Sequence, residues 1–169
     1  GNNYDVTMEN ITINENNMYF SGDTSIMHSS NNIDAVSVEM VLELEESPQG
    51  QYIASFGSLY KILAWSPTEN AFSLGNNKKR YSIDELYKLS SISVQYNPDA
   101  MYLNSKELGL NVGSDTWIHG SKYPFMISGY SSGYRLKGKI YSIRVYNRAL
   151  TQEEINHNYM VDKARYGIK

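Results

Sequence analysis

Between residues 35 and 45 the chain alternates with strict period two. Val36, Val38, Met40, Leu42 and Leu44 fall on one side, and Ser37, Glu39, Glu43 and Glu45 on the other. A helix would scatter these residues around its axis. A pleated strand gathers the apolar set onto one face, so the pattern predicts a half-buried strand of an antiparallel sheet. Val41 alone breaks the polar face, which points to a second layer or a loop over that position.

Further short strands are expected at 52–56, 59–65, 71–74, 91–96, 101–104 and 125–128. Turn-forming clusters separate them, among them Ser47-Pro48-Gln49-Gly50, Gly75-Asn76-Asn77 and Asn97-Pro98-Asp99. In the last, Pro98 suits the second position of a tight turn and Asn97 can bond the backbone, so 91–96 and 101–104 should form a hairpin. Many short strands at regular spacing describe a β-sandwich or jelly roll. Trp65, at the end of an apolar run, is expected in the core.

The long strand expected at 137–146 alternates imperfectly. Ile143 and Val145 share a face and Ile140 is out of phase with them, which predicts a bulge near Tyr141 and Ser142. Residues 4–13 show a similar shift between Met8 and Ile11 within an expected N-terminal strand. One convincing helix is predicted, at 151–166. Thr151-Gln152-Glu153-Glu154 is a capping box, Ile155, Tyr159 and Tyr166 are spaced along one face, and Gly167 can stop the helix in the left-handed region. A weaker box at Ser82-Ile83-Asp84-Glu85 suggests one helical turn through Tyr87.

Composition excludes several classes. The 169 residues suit a single domain, read as 1–169 with an N-terminal strand region at 1–17. There is no cysteine, which removes disulfides, thiolate-bound zinc and thiol catalysis together. A net charge of −3 gives no basic footprint for nucleic acid. No apolar run approaches the ~20 residues of a membrane-spanning helix, so membrane insertion is not expected. A chain that starts at Gly1 is expected to be cut from a longer protein. The conspicuous imbalance is 15 Tyr against 4 Phe and 2 Trp.

The run Leu136-Lys137-Gly138-Lys139-Ile140-Tyr141-Ser142-Ile143-Arg144-Val145-Tyr146-Asn147-Arg148-Ala149-Leu150-Thr151-Gln152-Glu153-Glu154-Ile155 closely resembles the C-terminal hallmark of bacterial laminin G-like, concanavalin A-like domains. There a Gly-x-Ile strand leads through Arg-x-Tyr-Asn-Arg-x-Leu into a capped helix. Met18-Tyr19-Phe20-Ser21-Gly22 resembles the family's opening turn, and 91–104 its central hairpin. Leu89 stands where many relatives have Trp, and Ser105 where many have Gly. The resemblance implies an all-β fold, an antiparallel two-sheet jelly-roll sandwich with a short C-terminal helix. Such domains occur in lectins, carbohydrate-binding modules, adhesins, sialidase and glucanase accessory domains and phage tail proteins. Function must be argued from the site, because the fold hosts many.

The strongest functional signal is aromatic residues in polar loops. Trp117 and Tyr123 lie in a Gly/Ser-rich stretch with Asp115 and His119, and Tyr130 and Tyr134 follow in Gly129-Tyr130-Ser131-Ser132-Gly133-Tyr134. Sugars present apolar C–H faces with hydroxyl rims, so aromatic plates beside hydrogen-bonding groups complement them. These six residues are the expected glycan site of a non-catalytic carbohydrate-binding or adhesion module. Its partner would be a glycan or cell-surface receptor, and its setting extracellular, on a cell surface or on a virion. The competing readings are a structural, oligomerising domain and, more remotely, a glycanase.

For the glycanase, Glu43 and Glu45 have the i, i+2 spacing of a carboxylate pair, with Glu39 on the same face. No Glu-x-Asp-x-Glu motif accompanies them, and a solvated strand face is the reading adopted. Laminin G-like domains often hold calcium through loop oxygens, for which Asp23 and Asp115 are the candidates. His28, His119 and His157 show no metal-binding spacing, and Lys78-Lys79-Arg80 is read as a solvated hairpin tip.

Overall fold

The computed structural model describes residues 5–56, 60–66, 71–74, 77–80, 87–95, 100–108, 123–129 and 133–169. The alternating segment forms β5 (Ser37–Leu44), at the centre of a seven-stranded antiparallel sheet. Its neighbours are β10 (Ser90–Gln95) on one side and β14 (Lys137–Tyr146) on the other. Beyond β10 lie β11 (Ala100–Leu103) and β12 (Lys106–Glu107), and beyond β14 lie β3 (Met18–Ser21) and β2 (Ile11–Ile13).

A second seven-stranded sheet faces it, in the order β1 (Val6–Glu9), β4 (Ile26–Asn32), β13 (Pro124–Ile127), β6 (Gln51–Phe56), β7 (Tyr60–Ser66), β8 (Ala71–Leu74) and β9 (Asn77–Arg80). The core fills the gap between the two. Phe20, Val38, Met40, Leu42, Leu44, Ile92, Val94 and Ile140 meet Ile53, Phe56, Ile62, Leu63, Trp65, Phe125 and Ile127.

Several expectations hold in detail. The bulge lies at Tyr141: Ile140 pairs with Leu42 and Ser142 with Val41, so Tyr141 has no partner on β5. The extra residue is what lets Ile140, Ile143 and Val145 all serve the core. β10 and β11 form the expected hairpin, with Gln95 opposite Ala100, while residues 96–99 of its turn lie outside the described residues. The helical turn expected after Ser82 also falls mostly outside them.

Other segments differ from expectation. The N-terminal strand is two strands, broken at Asn10 with a φ of 53°, and β1 and β2 join opposite sheets. The phase shift between Met8 and Ile11 marked that change of sheet. The basic run is no hairpin tip: Asn77–Arg80 is β9, the edge strand of its sheet. β4 is a strand the sequence concealed, because Ser and Asn occupy its second half.

The hairpin from β11 to β12 turns on Asn104 and Ser105, whose φ values are 49° and 65°. Two successive left-handed residues fit the tightest hairpin turn, which favours Asn-Gly. Ser105 therefore carries strain that glycine would relieve. Ser105→Gly is expected to raise stability by ~0.5–1 kcal/mol, the relief being offset in part by glycine's greater freedom when unfolded. A rise in the urea midpoint checks this, and a fall would show the turn to be unstrained.

The C-terminal helix α1 (Gln152–Tyr166) begins and ends as expected. Thr151 accepts a bond from the Glu154 backbone, the Glu154 side chain returns one to the Thr151 backbone, and Gly167 closes the end with a φ of 74°. Glu154 also takes a two-pronged bond from Arg148 at 2.6 and 2.7 Å. Arg148 and the Thr151 backbone together hold the Glu154 carboxyl down at about 2.

α1 buries the expected face, with one member the sequence reading left out. Ile155 is buried, but the second buried side chain is Asp162, while Tyr159 and Tyr166 are only partly covered. Glu39 waits beneath the helix on the outer face of β5, so it is not part of a solvated strand face. The side chains of Glu39 and Asp162 are 5% and 3% exposed, and Arg144 lies between them. Arg144 donates Nε to Glu39 at 3.2 Å and forks both terminal nitrogens onto Asp162. Tyr146 and Asn158 donate to Glu39 as well, at 3.0 and 2.8 Å. Burial pushes the Asp162 carboxyl above its usual range, and Arg144 pulls it back only in part. Val41 is buried on the same outer face, as its break in the pattern suggested.

Candidate functional site

The described part of the aromatic loops centres on Tyr134. Its carbonyl accepts the Tyr52 backbone N–H at 2.7 Å, which fixes it beside β6. Its ring meets Tyr52 edge-on, with centroids 5.4 Å apart at 68°. Tyr134 is nonetheless 44% exposed, so a held ring presents open surface. A side chain at Gly50 would come 3.0 Å from the Trp65 carbonyl and 3.5 Å from the Tyr134 ring, so glycine leaves that corner open. Behind the ring, Arg135 bonds the Ser128 carbonyl, and the Leu136 backbone bonds the Ser128 hydroxyl at 2.9 Å. These ties hold the segment rigidly enough for its ring to be a platform.

Tyr123 lies elsewhere. β13 runs antiparallel to β6 with Phe125 opposite Phe56 and Ile127 opposite Ala54. Tyr123 therefore sits beyond the Phe56 end, whereas Tyr134 bonds Tyr52, four residues or ~13 Å away along the strand. Tyr123 is partly buried and packs against the core. The two rings thus flank opposite ends of β13. Asp115, Trp117, His119 and Tyr130 lie outside the described residues.

The carboxylates of the outer strand face are engaged in pairs. Glu43 accepts bonds from Lys139 at 3.2 Å and from the Tyr141 hydroxyl at 3.1 Å. Glu45 sits 3.7 Å from Lys137 and 3.4 Å from the Tyr19 hydroxyl. Each carboxylate thus has its own lysine and its own tyrosine. A hydrolase would direct one proton donor and one base at a common bond, and this arrangement neutralises each separately.

For calcium, Asp23 is exposed in the turn between β3 and β4. Among the described residues no three His, Asp or Glu side chains converge to hold a metal, and Asp115 lies outside them. The Asp23 turn alone does not fit the six to eight oxygens calcium takes. His28 is half-buried against the Ser29 carbonyl, and His157 is exposed on α1.

No spacing in the sequence foretells a cleft of about 600 Å³ beside β10 to β12. Tyr87, Lys88, Leu89, Leu103, Asn104 and Lys106 form much of its wall, with Glu43 and the end of α1 closing it. A smaller hollow of about 290 Å³, reaching Lys139 and Glu46, shares Glu43 and Tyr87 with it. The residues of the larger cleft come from four separate stretches, which only the tertiary fold brings together.

Two facing antiparallel sheets with one capped helix on an outer face define a jelly-roll sandwich of lectin type. The chain belongs to the concanavalin A-like lectin/glucanases superfamily, whose laminin G-type family model matches residues 20–156. Among solved structures it resembles Trypanosoma rangeli sialidase at 16% identity and a TM-score of 0.71, covering 95% of this chain and 30% of the sialidase. It also resembles the botulinum neurotoxin type G receptor binding domain at 13% identity and a TM-score of 0.67, covering 94% of this chain and 46% of the toxin chain. At such identities the likeness is one of fold. Both relatives are more than twice as long as the matched region. No curated protein sequence matches the chain.

Proposed function

We propose that the chain is a non-catalytic carbohydrate-binding or adhesion module of a larger extracellular, cell-surface or phage tail protein. The observation that carries this reading is Tyr134, an aromatic ring fixed by Tyr52 and open to solvent on a sandwich of the lectin superfamily. A fixed ring loses little entropy when a sugar face stacks on it. The sequence reading assigns stacking also to Trp117 and Tyr130 and hydrogen bonds to Asp115 and His119, while Tyr123 serves a separate contact. One such site binds weakly, so avidity through several copies does the work of adhesion.

The test is calorimetric titration with the glycans that the protein selects from an array. Tyr134→Ala and Trp117→Ala should each weaken binding about 3–10-fold, the worth of one aromatic contact. Unchanged affinity in both variants would overturn the site.

A further inference from the structure

In an acidic protein, free cations gathered at one place call for an explanation. Lys137, Lys139, Arg144 and Arg148 each have a carboxylate partner. Lys88, Lys106 and Lys169 have none among the described residues, and all three line the cleft beside β12. Among the described lining residues the side-chain carboxylate is Glu43, already held by Lys139 and Tyr141, with Glu46 in the adjoining hollow. The described side chains lining the cleft thus set three ammonium groups against one carboxylate, on a chain whose net charge is −3.

Its walls are not those of a bare anion site. Leu89, Leu103 and the ring of Tyr87 supply apolar surface beside the lysines. The Asn104 side chain uses its oxygen to accept the Ser91 backbone N–H at 2.9 Å, which fixes the amide and leaves its nitrogen as a donor. A volume of about 600 Å³ falls within the range of small-molecule sites. Apolar wall, fixed amide donor and unpaired ammonium groups match a ring with C–H faces, hydroxyls and one negative substituent.

We propose that this cleft binds a pyranose bearing a carboxylate or sulfate, with Lys88 and Lys106 on the anion, Asn104 on a hydroxyl and Tyr87 against the ring. It is a site separate from the Tyr134 platform. The inference rests on the carbohydrate reading only for the sugar part of the ligand.

Amide shifts in 15N-labelled protein test it, with glucuronate, glucose 6-sulfate, glucose and sodium sulfate titrated at equal ionic strength. Either acidic sugar should shift Leu89, Asn104 and Lys106 saturably, with glucose and inorganic sulfate about tenfold weaker or more, as expected when a charge-assisted bond and the ring contact are both needed. Lys88→Gln with Lys106→Gln should cost the acidic sugar about tenfold or more, and Tyr134→Ala should leave it unchanged. Preserved spectral dispersion shows that each variant is folded. No response to either acidic sugar, an equal response to glucose, or an equal response to sulfate alone would overturn the proposal. So would loss of cleft binding in Tyr134→Ala, which would make the two places one site. Neutral glycans bound through Tyr134 with a silent cleft would remove this inference and leave the adhesion reading standing. An active cleft with no glycan dependence on Tyr134 would do the reverse.

Discussion

Arg144→Met should cost about 3–5 kcal/mol, the usual loss when one member of a buried ionic cluster is removed. Two carboxylates depend on this guanidinium. Glu39 would keep its bonds from Tyr146 and Asn158, but Asp162 would lose both prongs of its pair and remain 3% exposed. Against the ~5–15 kcal/mol that holds a typical domain together, this is a large fraction. The damage should centre on α1, because Arg144 ties β14 to Asp162 on the buried side of the helix. Arg144→Lys should recover only part of the loss, since an ammonium cannot fork onto a carboxylate while bonding a second one beside it. Combining Arg144→Met with Asp162→Asn should lose less than Arg144→Met alone, because no buried charge is then orphaned at the helix. Urea unfolding of the four proteins measures these differences. A cost below ~1 kcal/mol for Arg144→Met, the range of an exposed pair, would show the cluster to be solvated.

Gly138→Ala should be nearly as damaging. Gly138 has a φ of 141°, in a region side chains rarely adopt, and it pairs with Leu44 and Phe20 between two strands. A Cβ there would stand 2.3 Å from the Glu43 carbonyl and 2.9 Å from the Leu44 Cα, both backbone atoms that cannot swing aside. Backbone strain of ~1–3 kcal/mol adds to a similar cost of overpacking, so a loss of about 3 kcal/mol is expected. The same unfolding experiment reads it. A loss within ~0.5 kcal/mol would mean that β14 can shift away from β5 at no expense, contrary to the central register of that sheet.

These two residues show how much of the fold was open to a reading of the sequence. Gly138 and Arg144 both stand in the run that resembles laminin G-like domains, and the structure supplies their physical reasons. Local signals were legible: the alternation of β5, the bulge at Tyr141 and both caps of α1 depend on neighbours a few residues apart. The Glu39–Arg144–Asp162 cluster was not, because its members are 105 and 18 residues apart. On sequence alone a glutamate on the polar side of a strand looks solvated, and only α1 lying across it changes that. β4 was hidden for a different reason: sheet neighbours on both sides outweigh the poor strand propensity of Ser and Asn.

The candidate site was legible in part. Tyr134 was visible as an aromatic in a polar loop, and the structure adds that Tyr52 braces it. Spacing in the sequence could not show that Tyr123 lies at the other end of β13, because that follows from strand direction. Nor could it show the basic cleft, since Lys88, Lys106 and Lys169 are isolated charges until the β10–β12 hairpins and the end of α1 bring them together.

The central claim is that this sandwich recognises sugars, and an array of neutral and acidic glycans probed with a multivalent form of the folded protein tests it most directly. The account predicts binding to a restricted set of glycans, displaced by the same sugars free in solution and reduced by Tyr134→Ala. Folded, multivalent protein that binds no glycan, or binds with no competition from free sugar, would contradict it.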